Sequence, residues 1–201
     1  MHITSPQPNR PRVLYISYNG LTDPLGSTQV RPYVERLAID YQMSILSFEK
    51  PAVLKNIISD RIGMELDTLD IPWYVCTYHK WPSLLATLWD IFIGTAVVLN
   101  RHRKKPFQLI HARGYVPGVI ALWFHLVTRI PFLFDIRGFQ AEEYADAGHW
   151  TRGGLKFRLT RWAERWMLRK AAGIVTLTRK ARMVLPDRAG IRTPAGYLTG
   201  T

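Results

Sequence analysis

The chain has few of the residues and motifs that most often identify a functional site from sequence alone. Its single cysteine, Cys76, excludes an internal disulfide and fits a reducing compartment. The six histidines form neither a helical pair nor a pair with the cysteine, so no metal site is expected. The phosphate-binding motifs G-x-G-x-x-G and G-x-x-x-x-G-K are absent, and so is the G-x-S-x-G turn of serine hydrolases.

What the chain does have is an excess of positive charge. Its 27 lysines and arginines outnumber its 15 acidic residues, which gives a formal net charge of +12. Such a charge favours an anionic partner: a nucleic acid, an acidic membrane surface or phosphate groups. No recognisable nucleic-acid-binding motif accompanies the charge, so a nucleic acid is not expected as the partner.

Apolar and polar segments alternate in a pattern typical of successive strands and helices. Strands are predicted at 12–18, 43–48, 73–77, 107–111, 130–134 and 173–178. Helices are predicted at 29–39, 51–62, 83–100, 115–128 and 153–172, with a short one ending at 185. This order predicts one α/β domain over 12–185 with a Rossmann-like, doubly wound, mostly parallel sheet. Residues 1–11 are expected to be a flexible N-terminus without a signal peptide, and residues 186–201 an irregular, truncated tail.

The predicted helix at 83–100 is apolar almost throughout and runs into a cluster of basic residues. Such a segment resembles a transmembrane span with a positive flank. Asp90 lies in its middle, however, and its length is at the lower limit for a span. A buried crossover helix is therefore the preferred interpretation, and membrane contact remains open.

The fifth predicted strand changes character abruptly at its end. Residues 130–134 are apolar throughout, as in a strand covered on both faces, and Asp135, Arg137 and Gly138 follow at once. Open α/β sheets bind ligands beyond the carboxyl ends of their strands. Asp135 and Arg137 are therefore predicted to be catalytic, the alternative being a local ion pair that orders the loop.

Glycines and polar side chains also stand at other points of the same predicted edge. Arg113 and Gly114 follow the fourth strand, and Gly26 and Ser27 precede the helix at 29–39, whose N-terminus favours an anion. Together with Gly138, these residues are predicted to bind a phosphorylated or otherwise oxygen-rich ligand. For Ser27 and its neighbour Thr28, ordinary helix capping is the alternative.

The predicted helix at 153–172 carries two stripes. One is apolar and is expected to face the core, and it comprises Leu155, Leu159, Trp162, Trp166 and Met167. The other is basic and comprises Arg158, Arg161, Arg165 and Arg169. A basic amphipathic helix of this kind predicts contact with anionic lipid, and a merely solvated basic face is the alternative.

Four segments, in this order, resemble the N-terminal half of a two-domain GT-B glycosyltransferase of the retaining family 4. They are V-L-Y-I-S-Y-N-G-L-T-D-P-L-G-S-T-Q with the helix V-R-P-Y-V-E-R-L-A, then I-H-A-R-G-Y-V-P-G, P-F-L-F-D-I-R-G-F-Q-A-E-E and W-M-L-R-K-A-A-G-I-V-T-L-T. The resemblance implies that this half receives the acceptor, with Gly26 and Ser27 near the donor diphosphate. It likewise makes Arg113, Gly114 and Gly138 candidates for binding a donor phosphate or the acceptor. The loop after the fifth strand usually carries a histidine, where this chain has D-I-R-G.

The resemblance also implies the substrates and the setting. A nucleotide-sugar donor and a carbohydrate or lipid-linked acceptor are expected, with no cofactor and no metal. The expected location is the cytoplasm, including the inner face of the cytoplasmic membrane, with a role in cell-envelope polysaccharide biosynthesis. The family's E-x7-E signature, which belongs to the donor-binding domain, is absent from this sequence. The chain is therefore expected to be a truncation, a fragment or one subunit of a split enzyme, and to be inactive alone. The alternative is a non-catalytic membrane-docking or acceptor-binding subunit that works with a separately encoded C-terminal domain.

Overall fold

A computed structural model describes residues 10–53, 57–190 and 197–199. The strands are β1 (Arg12–Ser17), β2 (Gln42–Glu49), β3 (Trp73–Thr77), β4 (Leu109–Arg113), β5 (Phe132–Ile136), β6 (Gly173–Thr176) and β7 (Tyr197–Thr199). The helices are α1 (Arg31–Leu37), α2 (Ile57–Thr68), α3 (Ser83–Lys104), α4 (Tyr115–Thr128), α5 (Gln140–Asp146), α6 (Leu155–Lys170) and α7 (Arg179–Ala189), and a π-helical turn (Gly26–Val30) leads into α1.

The strands form one sheet in the order β3-β2-β1-β4-β5-β6-β7, and each neighbouring pair is parallel. The predicted α/β class with a Rossmann-like, doubly wound sheet is therefore confirmed, with β7 as a seventh strand. All the strands point their carboxyl ends to one edge, because parallel strands joined by crossover helices all run the same way.

Alternation along the strands creates two hydrophobic cores, one on each face of the sheet. From β1, Leu14 and Ile16 enter the larger core, which also contains side chains of α3, α4 and α6. Val13 and Tyr15 face the other way, into the smaller core beneath α1 and α2. The sheet is thus covered on both faces, which explains why its strands are apolar runs.

The packing of α3 agrees with a crossover helix, but the expectation that this helix is buried is wrong, because it is buried along one side only. Every fourth residue faces inward, and Asp90 accepts hydrogen bonds from the Tyr18 hydroxyl (2.7 Å) and the His79 amide (3.1 Å). A Cβ atom on Gly94 would lie 2.7 Å from Ile120 Cδ1, so a larger residue there would require the Ile120 side chain to move. Among the described residues, α3 is the one helix long and apolar enough to cross a membrane by length and composition.

Both β4 and β5 lie two residues later in the chain than predicted. The polar residues Arg113 and Asp135 are therefore inside strands, where the loops were expected. The prediction was wrong because it followed apolar character, which reports burial, whereas the strand limits follow hydrogen bonding. Phe107 is buried ahead of β4, and Pro131 has no N–H to donate.

Other limits differ as well. The helix predicted at 51–62 is α2, which ends at Thr68; residues 51–53 form a turn, and residues 54–56 lie outside the described residues. The final helix continues through Pro186 to Ala189, beyond the predicted limit at 185. Most of the predicted flexible segment 1–11, and residues 191–196, 200 and 201 of the predicted tail, also lie outside the described part of the chain.

The predicted core-facing stripe of α6 is wrong for four of its five members. Met167 is buried, but Leu155, Leu159, Trp162 and Trp166 are exposed. The buried side of α6 instead contains Glu164, Met167 and Leu168. The buried side was not recognised from the sequence because it includes the charged residue Glu164. The arginines that balance this charge are described below.

Candidate functional site

The register of the sheet brings five polar side chains together near its carboxyl edge. Arg113 lies beside Ser17 of β1 and beside Asp135 of β5. Two residues earlier in β1 and β4, Tyr15 lies beside His111, with ring centroids 4.7 Å apart. Because alternate residues of a strand share a face, all five lie on the side of the sheet covered by α1.

Three side-chain atoms of this cluster are buried without hydrogen-bond partners. Tyr15 Oη, His111 Nε2 and Asp135 Oδ1 are three of the four such side-chain atoms found among the described residues. His111 Nε2 lies 3.7 Å from Asp135 Oδ2, which is too far for a hydrogen bond. Buried polar atoms are nearly always paired in native proteins, so a concentration of unpaired ones marks a candidate ligand site.

Asp135 and Arg137 form the ion pair that was considered as the structural alternative to catalysis. Asp135 is 1% exposed, and its Oδ2 atom accepts hydrogen bonds from Arg137 Nε (3.0 Å) and Nη2 (2.5 Å). The Arg137 side chain is 30% exposed, so part of the guanidinium faces solvent. The pair occupies only one carboxylate oxygen, and the other, Oδ1, is buried without a hydrogen-bond partner.

Two tyrosines that the sequence analysis overlooked complete the cluster. Tyr33 of α1 stands edge-on to His111 at 5.6 Å and lies 5.8 Å from the Tyr15 ring. Burial and the negative charge of Asp135 raise the pKa of Tyr15 to about 12, against the lowering effect of Arg113. Burial and then Asp135 raise the pKa of Tyr33 as well. Both phenols are therefore neutral near pH 7 and can donate hydrogen bonds.

The loop after β1 is held by Glu49, another residue that sequence reasoning missed. Its buried carboxylate accepts from the Leu21 amide (2.6 Å), the Thr22 hydroxyl (2.5 Å) and the Ser47 hydroxyl (2.7 Å). A Cβ atom on Gly26 would lie 1.9 Å from the Gly20 carbonyl oxygen, so the loop closes only with glycine there. Gly26 thus has a demonstrable role in loop packing.

Ser27 and Thr28 do not cap the following helix, so the capping alternative is wrong. Both hydroxyls donate instead to the Pro24 carbonyl, at 3.1 and 2.6 Å, and the Ser27 amide donates to the Asp23 carbonyl at 2.9 Å. The π-helical turn is nevertheless tied to the cluster, because Gln29 Oε1 accepts from Arg113 Nη2 at 2.6 Å. Arg113 therefore connects the loop after β1 to the end of β4.

Gly114 and Gly138 shape the two neighbouring loops. Gly114 has φ +84°, a conformation that favours glycine, and its amide donates to the Asp135 carbonyl at 2.9 Å. A Cβ atom on Gly138 would lie 2.1 Å from Glu143 Oε1. The Gly138 carbonyl accepts from the Tyr115 hydroxyl at 3.3 Å.

A cleft of about 210 Å³ opens at the same edge, between the ends of β5 and β6. Its lining comprises Ile136, Arg137, Gly138, Phe139, Leu177, Thr178 and Ala181. Arg137 therefore contacts both the cleft and, through its ion pair, the buried carboxylate of Asp135.

No group of three or more histidine, cysteine, aspartate or glutamate side chains that could hold a metal occurs in the described part of the chain.

The loop after β5 is braced by an ionic network centred on Glu164. The buried Glu164 carboxylate accepts from Tyr115, Arg161 and Arg188, the last through Nε at 2.9 Å. Arg188 also donates to Glu142 at 2.7 Å and covers the Phe139 ring at 3.9 Å. This network links α4, α5, α6 and α7 beneath the loop.

Two of the four arginines predicted to meet lipid serve the fold. Arg161 belongs to the network around Glu164, and Arg169 Nε donates to the Ala189 carbonyl at 2.8 Å near the end of α7. Arg158 and Arg165 are exposed. The basic stripe is therefore divided between internal bracing and the surface.

Comparison with known proteins gives both a family and a fold. Residues 27–193 match a family model described as "Glycosyl transferase 4-like domain". No curated protein shows significant sequence similarity to the chain.

Solved structures of similar fold include three bacterial proteins. Sucrose-phosphate synthase from Thermosynechococcus elongatus is 11% identical with a TM-score of 0.64, and the match covers 94% of this chain and 47% of that one. A glycosyltransferase from Rickettsia africae ESF-5 is 13% identical, with a TM-score of 0.59 and coverage of 95% and 42%. Anabaena Alr3699/HepE, solved in complex with UDP and glucose, is 14% identical, with a TM-score of 0.58 and coverage of 94% and 44%.

At these identities the structural matches establish the fold alone. The chain spans less than half the length of each of these three proteins. The matched fold is the N-terminal Rossmann-like domain of GT-B glycosyltransferases.

Proposed function

The chain belongs to the family of glycosyl transferase 4-like domains, and from that premise we propose that it is the acceptor-side half of a glycosyltransferase. The complete enzyme would transfer a sugar from a nucleotide-sugar donor to a carbohydrate or lipid-linked acceptor. The observation that carries the proposal is the cluster of buried, unpaired polar atoms on Tyr15, His111 and Asp135 at the ligand-binding edge of the sheet.

Support for a nucleotide-sugar donor comes from charge and from comparison. Arg113 and Arg137 stand on or just after β4 and β5, where an anionic leaving group would be stabilised. Anabaena HepE, which shares the fold, is described in complex with UDP and with UDP-glucose. In the proposed reaction these arginines supply the positive charge at the diphosphate, without a metal or other cofactor.

Each side chain has a distinct task in the proposed reaction. As the bond from the sugar to the diphosphate breaks, positive charge develops on the sugar and negative charge on the leaving group. Arg137, partly exposed at the cleft, stabilises the diphosphate or holds an anionic group of the acceptor. Asp135 orients Arg137 through Oδ2 and so fixes the guanidinium for these contacts.

We further propose that this chain is inactive alone. These similar structures are about twice as long as their matched region, and the resemblance to GT-B enzymes implies that the donor is held largely by a second Rossmann-like domain. A second domain, in the same protein or in a separate subunit, would supply most of the donor contacts. The alternative, a non-catalytic acceptor-binding subunit, predicts acceptor binding without turnover even after the donor-side domain is added.

The test combines a turnover assay with a binding assay. The 201-residue chain is incubated with a panel of labelled nucleotide sugars, and neither transfer nor donor hydrolysis is expected. Sugar phosphates are then titrated as acceptor analogues while the arginine Nε–H signals are followed by NMR. The signals of Arg113 and Arg137 should shift, whereas that of the exposed Arg36 on α1 should not. Turnover by the chain alone would refute the proposal that a second domain is required, and unchanged Arg137 signals would refute the acceptor site.

A further inference from the structure

The helices on the larger-core side of the sheet expose an unusually apolar outer surface. On α3, the outward side chains include Leu85, Leu88, Trp89 and Phe92, and on α6 they include Leu155, Leu159, Trp162 and Trp166. These eight residues are called the outer apolar face. Trp89 is 52% exposed, Phe92 62% and Trp162 59%, although soluble proteins seldom leave contiguous large apolar side chains in water.

The two parts of this face belong to one layer of helices. Both α3 and α6 contact α4, which lies between them. At the first turn of α6, Lys156 Nζ donates to Ser83 Oγ at 3.1 Å, so the two helices meet where each begins. Because both helices follow strands in a parallel sheet, this meeting point is at the carboxyl-edge end of the helix layer.

Aromatic pairs dominate each half of the face. Trp89 and Phe92 lie 5.7 Å apart on α3, and Trp162 and Trp166 lie 6.1 Å apart on α6. Tryptophan is enriched where a protein meets the boundary between lipid headgroups and acyl chains, because its ring is apolar and its N–H is polar.

Basic residues do flank the face. On α6, the exposed Arg158 and Arg165 lie along one border of the tryptophan stripe, at helical spacings that place them beside Leu155 and Trp162. On α3, the apolar turns lead into Arg101, Arg103 and Lys104. This pairing of an apolar stripe with cations, in a chain of net charge +12, is complementary to an anionic bilayer.

We propose that the outer apolar face docks on the surface of a bilayer containing anionic lipids, with α3 and α6 lying in the plane of the interface. Neither helix crosses the membrane, because Asp90 and Glu164 hold their inner sides against the fold. Docking brings the carboxyl edge close to the lipid surface, where a lipid-linked acceptor would be found. The proposal concerns binding alone and does not depend on glycosyl transfer.

The test is co-sedimentation of the chain with vesicles of phosphatidylcholine, alone or mixed with phosphatidylglycerol. Binding is expected only to the anionic vesicles, and about 0.5 M salt should weaken it strongly. Changing Trp89 and Trp162 to glutamine should weaken binding about tenfold or more, because two rings no longer enter the interface. The matched control, Ile39→Gln with Met64→Gln, changes two exposed apolar residues on the α1 and α2 side and should bind normally.

A second pair of variants tests the charges. Arg158→Gln with Arg165→Gln should weaken binding about 20-fold, since each surface cation contributes to attraction by an acidic bilayer. Arg36→Gln with Arg61→Gln removes the same charge from the opposite side of the sheet and should have a much smaller effect. Equal losses from both pairs would overturn the proposal, because the attraction would then come from net charge alone.

Sedimentation equilibrium without lipid distinguishes a protein partner. A monomer is expected for the parent chain and for the variants. A stable dimer that Trp89→Gln with Trp162→Gln dissociates would overturn the proposal and assign the face to a second copy of the chain. Circular dichroism spectra that match the parent would show that the variants are folded.

Discussion

The outer apolar face and the polar cluster around Asp135 reverse the usual arrangement of a protein in opposite ways. On the outer apolar face, tryptophans and leucines that normally enter a core are exposed to water. In the cluster, a carboxylate, an imidazole and a phenol that normally meet water are buried, each with an unpaired atom. Each arrangement costs free energy unless something binds there, so exposed apolar area indicates an apolar partner and buried polar atoms indicate a polar ligand.

The largest expected effect concerns the cluster and uses a reconstituted two-domain enzyme. Arg137→Ala and Asp135→Asn should each lower turnover by about 100-fold or more, because each loses a contact made to developing charge. Turnover per folded molecule and melting temperature are measured on the same samples. If the melting temperature falls while turnover persists, the Asp135–Arg137 pair is structural and the comparison between the two regions fails.

The support of the first loop should produce the next largest effect. Glu49→Ala leaves the buried Leu21 amide and Ser47 hydroxyl without their acceptor, so the free energy of unfolding should fall by about 3 kcal/mol. Urea denaturation of the chain measures this change. Glu35→Ala, which removes a partly exposed ion pair on α1, is the control and should change stability by about 0.5 kcal/mol. Similar losses in both variants would argue against a special role for Glu49.

Alkaline pH should reveal the burial of Tyr15. Its pKa is raised from 10.0 to about 12, so the fold favours the neutral phenol. The resulting stability is fully present below pH 10 and is lost as pH rises toward 12, in total about 2 kcal/mol. Between these limits, the free energy of unfolding measured by denaturation should depend less steeply on pH for Tyr15→Phe than for the parent. Cys76, whose burial raises its pKa to about 11, contributes in the same direction, so Cys76→Ala is the background for both chains.

The smallest expected effect belongs to the outer apolar face. Trp89→Gln with Trp162→Gln should change the free energy of unfolding in water by no more than about 0.5 kcal/mol per site, since both rings are already exposed. Phe134→Ala, in the adjacent core, should cost about 3–5 kcal/mol. A large loss of unfolding free energy in the tryptophan variants would mean that the rings stabilise the fold and do not form a surface for a partner.

Much of the architecture could be predicted because it follows from local patterns. Apolar runs located β1 to β6 to within a few residues, and β3 and α4 were predicted at their observed limits. The polar ends of those runs also indicated the ligand-binding edge, since parallel strands end together. The limits of β4 and β5 were not predicted correctly, because buried residues such as Phe107 extend beyond the residues that pair with a neighbouring strand.

The sequence by itself determined the α/β fold, the positive charge and the presence of Arg113, Asp135 and Arg137 near one edge of the sheet. Only the tertiary structure decided which polar atoms remain unpaired, because that depends on register between strands far apart in the chain. It also decided the orientation of α6. Periodicity showed that this helix has an apolar side and a basic side, but the surrounding contacts determine which residues are buried. Tyr115, Arg161 and Arg188 satisfy the buried carboxylate, and the tryptophans therefore face outward.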